Sequence, residues 1–123
     1  MDMQTEFSFK ARLKSFGFAF EGIAAFFRTQ HNALVHACAT IVIIPLAAYY
    51  NISSEKWMAL LIAIALVWIS ELFNTAIEKV CDIVSPQRNA QVKFIKDVSA
   101  AAVLVASILA FIIGLIIFIP QIL

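Results

Sequence analysis

The stretch 57–84, WMALLIAIALVWISELFNTAIEKVCDIV, decides the fold. Its first half is an apolar run with no charge, glycine or proline. Its second half brings in Glu71, Asn74, Glu78 and Asp82 while the helical character continues. Hydrocarbon takes about 20 residues at 1.5 Å each to cross, so a helix entering at Trp57 leaves it near Ala76. Glu71 then lies roughly 8 Å inside the boundary, with Glu78 at the interface and Asp82 beyond it. At 100° per residue the four polar residues share an arc of about 80°, which is one face.

The rest of the chain agrees with a membrane helix here. Of 123 residues, 63% are hydrophobic, and the mean hydropathy is +0.93. A domain this small is mostly surface and cannot hide that much apolar area in water. With three glycines, three prolines and no period-2 alternation, the segments read as helices and not as barrel strands. We expect an all-α membrane protein: a surface helix over 6–30 and membrane helices over 33–50, 57–84 and 97–119. Ser85 and Pro86 break the second span and Pro120 closes the third. Residues 1–123 read as a single domain, with no internal repeat.

The first segment differs in kind. Phe9, Leu13, Phe16, Phe20, Ile23 and Phe27 recur at helical spacing, with Lys10, Lys14, Glu21 and Arg28 on the other side. An aromatic face opposite a mainly cationic one suits the plane of a membrane surface. Eight of the nine lysines and arginines flank the first span's start or the 85–96 loop, and Lys56 alone lies opposite. That asymmetry puts the N-terminus in the cytoplasm and the C-terminus outside. The start, MDMQTEFSFKARLKSF, lacks the apolar core of a cleavable signal.

A charge at Glu71 has to be neutralised, paired or solvated, because a bare one in hydrocarbon costs several kcal/mol. Desolvation favours proton uptake, which is what a general base does. Glu78 and Asp82, one turn apart, repel each other unless Mg2+ or a lysine such as Lys96 intervenes. Asn74, Thr75 and Ser70 read alone fit contacts between helices. Three acids near one boundary exceed that need and mark a functional site. His31 and His36 read as anchors or helix contacts without a catalytic role, Trp57 and Trp68 as packing or belt residues. Cys38 and Cys81 read as small buried residues. Net charge +1 and the lack of a basic aromatic tract leave no nucleic-acid partner to expect. No phosphate loop, HExxH, GxSxG or Cys/His metal spacing occurs.

ELFNTAIEKVCD (71–82) resembles the signature E-x-x-N-[ST]-A-I-E-x-x-x-D of the small bacterial diacylglycerol kinase and undecaprenol kinase family. KSFGFAFEGI (14–23) is similar to its surface helix, RTQHNALVH (28–36) to its T-E-x-N-x-x-x-H stretch, and IKDVSAAAVLV (95–105) to its K-D-x-x-[AS]-x-A-V-L run. The resemblance implies a homotrimer in the bacterial inner membrane, with active sites shared between protomers. It implies transfer of the ATP γ-phosphate to diacylglycerol or undecaprenol with Mg2+. Carried over by match, Glu71 is the general base, Glu78 a Mg2+ ligand, and Asn74 and Asp82 organise the site. Lys96, Asp97 and the loop Gln87, Arg88, Asn89 contact ATP. Three positions depart from the pattern. Gln30 stands where the family has a glutamate metal ligand; its amide oxygen can coordinate Mg2+ but brings no charge. Ala11 replaces a basic residue, and Ser99 with Ala100 replaces Ala-Gly or Gly-Ser. Two other functions stand beside the kinase: a small proton-coupled transporter, for which four spans and a lone glutamate are usual, and a non-catalytic membrane subunit.

Overall fold

The computed structural model describes residues 7–87 and 89–123, which form helices α1 (Phe9–Thr29), α2 (His31–Tyr49), α3 (Ser54–Val84) and α4 (Ala90–Ile122). Among the described residues no strand forms. The starts of α1, α3 and α4 each follow from a side-chain cap. Ser8 and Ser53 accept from the N–H of Ala11 and Lys56, and Asn89 from that of Gln91 at 2.8 Å; each satisfies a donor that the first helical turn leaves over. One residue separates α1 from α2. Gln30 has an extended backbone (φ −115°, ψ 117°), ending one helix and opening the next. Between α2 and α3, Asn51 takes φ 49°, a left-handed conformation that asparagine tolerates better than most residues.

Three helices, α2, α3 and α4, are long and apolar enough to cross a membrane; the chain is a multi-pass membrane protein. With 31 and 33 residues, α3 and α4 are about 46 and 50 Å long and overrun the roughly 30 Å of hydrocarbon. They pack antiparallel. Leu60 meets Ile117 and Phe118 in a cluster with Ala47 and Ile52, and Asn74 meets Ser99 nearer the other end. The aromatic stripe of α1 stays uncovered: Phe9, Phe16 and Phe20 are exposed, and Phe26 alone is buried in that helix.

Some boundaries differ from the sequence expectation. The last helix starts at Ala90, not at 97, because the Asn89 cap starts it while the residues are still polar. It also runs through Pro120 to Ile122. A proline two residues from the helix end removes one N–H donor, and the Leu123 N–H still reaches the Ile119 carbonyl at 3.1 Å. The second and third helices begin two and three residues early, at His31 and Ser54. Cys81 is buried as expected, whereas Cys38 is exposed on α2.

Candidate active site

Glu71 is 4% exposed, and it does not stand alone. His36 on α2 brings Nε2 to 2.8 Å from its Oε1. An ionised carboxylate only accepts, so with Glu71 charged the imidazole proton is assigned to Nε2. A partner of this kind is what makes a buried carboxylate tolerable, since an unpaired one costs several kcal/mol. One turn earlier on α3, the Trp68 indole N–H donates to Thr40 Oγ1 at 3.1 Å. The Thr40 hydroxyl in turn donates to the His36 carbonyl at 2.8 Å.

The stripe continues along α3 with a different partner at each step. Half-buried Asn74 accepts from Ser99 Oγ of α4 at 2.6 Å. Asp82, exposed, accepts from Lys96 Nζ of α4 at 2.7 Å. Asp97 is paired with Lys93 one turn away on α4. Both ion pairs lie open to solvent and are screened accordingly. Glu78 is half-buried, and among the described residues no side chain hydrogen-bonds or ion-pairs with it. Gln30 is half-buried at the α1–α2 break, where its backbone is used by Phe26 and Ala33.

Mg2+ prefers hard oxygens, and one or two protein ligands suffice when phosphates and water complete its octahedron. The Glu78 carboxylate and the Gln30 amide match that donor chemistry. Among the described residues no three His, Cys, Asp or Glu side chains gather into an all-protein cage.

Two hollows flank the stripe. An apolar one of about 450 Å³ runs between α2, α3 and α4, from His36, Thr40 and Trp68 to Leu60 and Phe118. A polar cleft of about 620 Å³ is lined by Asp82, Ser85, Gln87, Asn89, Lys93, Lys96 and Asp97. Of the expected nucleotide contacts, Gln87, Asn89, Lys96 and Asp97 therefore share one cleft, and Arg88 lies outside the described residues. His36, expected as an anchor or helix contact without a catalytic role, and Ser99, expected only as a departure from the family pattern, are the partners of Glu71 and Asn74. The histidine that ends the RTQHNALVH stretch was the available signal for the first.

Comparison with known proteins follows the same lines. The sequence model described as prokaryotic diacylglycerol kinase matches residues 17–118. An undecaprenol kinase of Bacillus subtilis is 35% identical over 108 residues, which cover 88% of this chain and 88% of that protein. A diacylglycerol kinase of Synechocystis sp. is 35% identical over 112 residues, covering 90% of this chain and 64% of that protein.

Proposed function

The chain belongs to the prokaryotic diacylglycerol kinase family and is a membrane lipid kinase; on that premise we propose that it moves the ATP γ-phosphate to the hydroxyl of diacylglycerol or undecaprenol, with Mg2+, at the cytoplasmic boundary. The observation that carries this reading is the order of environments along α3. Trp68 borders an apolar hollow, Glu71 is buried just past it, and Asp82 borders a polar cleft. From Trp68 to Asp82 is about 21 Å of helix. A lipid alcohol approaching from the apolar side and a nucleotide from the polar side meet along that segment.

Glu71 is the base. It takes the proton of the lipid hydroxyl as that oxygen forms a bond to the γ-phosphorus. The bond from phosphorus to the β–γ bridging oxygen breaks, and ADP leaves with the electron pair. Asn74 keeps α3 registered against α4 through Ser99, and Asp82 holds the Lys96 ammonium beside the polar cleft. Lys96, Asp97, Gln87, Asn89 and Arg88 bind the phosphates and the nucleotide. Glu78 and Gln30 would hold Mg2+, which when bound neutralises charge on the phosphate oxygens. Residues 1–123 act as one domain with the N-terminus cytoplasmic, and three copies share their sites. Kinship with kinases sets aside the transporter and non-catalytic readings.

The test uses purified protein in lipid-supplemented detergent, Mg2+ and γ-labelled ATP, with diacylglycerol and undecaprenol offered in parallel. Label in either lipid supports the reading. No labelled lipid from a folded preparation refutes it.

A further inference from the structure

Resting on Glu71 as the base, we propose that His36 is a positioning residue for phosphoryl transfer: its Nε2–H holds Glu71 Oε1 and leaves Oε2 to receive the lipid proton. His36 and Thr40 lie one turn apart on α2, and Trp68 and Glu71 lie one turn apart on α3. The two pairs meet crosswise, His36 with Glu71 at 2.8 Å and Thr40 with Trp68 at 3.1 Å. Nearer the other end of α2, Ala47 joins Leu60 of α3 in the apolar cluster. Hydrocarbon supplies no hydrophobic drive to press the two helices together, so hydrogen bonds carry more of the register.

The rungs are themselves braced. The Thr40 hydroxyl closes on the His36 carbonyl, and the Trp68 ring stands edge-on to the imidazole with centroids 6.1 Å apart. Phe26 and Phe27 of α1 pack on the same indole at 6.2 and 5.5 Å. A glutamate side chain has three rotatable bonds, and the imidazole selects one orientation from those open to it. During transfer His36 keeps its own proton. Glu71 becomes neutral by taking the lipid's, and its Oε1 still accepts from Nε2. The nucleotide cleft begins at Asp82, about 16 Å farther along α3, so His36 acts on the chemical step and not on ATP binding.

The variants His36→Phe, which keeps a ring without a donor, and His36→Gln, which keeps an N–H donor, separate this role from mere packing. His36→Phe lowers kcat by about 100-fold, the cost of misplacing a reacting group by about 1 Å, with the KM for ATP within about 2-fold of the parent. His36→Gln returns kcat to within about 10-fold of the parent, because an amide N–H replaces the imidazole one. In a Glu71→Gln background, adding His36→Phe changes the residual kcat by less than about 3-fold, since the two act as a unit. Parental kcat in His36→Phe, or a loss that falls on the KM for ATP, overturns the proposal while leaving Glu71 as base. Parental kcat in Glu71→Gln instead overturns the base assignment itself. If His36→Phe does not fold, His36→Ala decides. Restoration of its rate by added imidazole supports positioning, and no restoration, or a parental rate without imidazole, refutes it.

Discussion

Replacing Ser99 by alanine removes one hydroxyl from the contact between α3 and α4, and the structure sets how much that costs. Ser99 is 7% exposed, and its Oγ donates to Asn74 Oδ1 at 2.6 Å. Hydrogen bonds between membrane helices contribute about 0.6 kcal/mol on average and up to about 1.7. A fully buried acceptor left unsatisfied would add about 1–3 kcal/mol. Asn74 is only half-buried and stands on the stripe that leads towards water, so solvent relieves part of that penalty. The total is about 1–2 kcal/mol, which for a chain of this size lowers Tm by roughly 3–10 °C. The assay is a thermal scan in detergent beside a kcat measurement, with Ser99→Thr as a control that keeps the hydroxyl. The same loss should appear in Asn74→Ala, and the double variant should lose little more than either single one. Equal Tm for parent and Ser99→Ala, or fully additive losses, would refute the reasoning.

Other perturbations address other parts of the site. Glu78→Gln is expected to abolish turnover at every Mg2+ concentration tried, measured as labelled lipid per minute; parental turnover removes Glu78 from the metal site. Gln30→Glu should keep or raise activity and move half-saturation to lower Mg2+, because a carboxylate adds charge where an amide oxygen stands; a large loss means that Gln30 is not a ligand. Lys96→Met breaks a solvent-open pair with Asp82, so the thermal midpoint should hold while the KM for ATP rises. A fall in Tm with unchanged KM would make Lys96 a structural tie and no more.

How much of this was legible in the sequence follows from the range of each interaction. The three spans came from hydropathy, which needs only a window of neighbours. The polar face of α3 came from a period of 3.6, local again. The partner of Glu71 was hidden, because His36 lies 35 positions upstream on another helix and periodicity does not say which turn of α2 meets which turn of α3. Ser99 was hidden for the same reason. It entered only as a departure from a motif, and not as the donor to Asn74. The early start of α4 is legible in its cap, not in its hydropathy. Counting apolar residues begins that helix at 97, whereas the cap at Asn89 begins it at Ala90 with a polar first turn. Those added turns carry Lys93 and Lys96 into the cleft shared with Asp82.

The central claim is that a buried Glu71, poised between an apolar hollow and a polar cleft, takes the proton of a lipid alcohol. Its most direct test is the rate of lipid phosphorylation by Glu71→Gln, which keeps the size of the side chain and removes its capacity as a base. The account expects kcat to fall by about 10²–10⁴-fold, the usual worth of a positioned base, while the KM for ATP stays within about 3-fold of the parent. A kcat within a few-fold of the parent would contradict it.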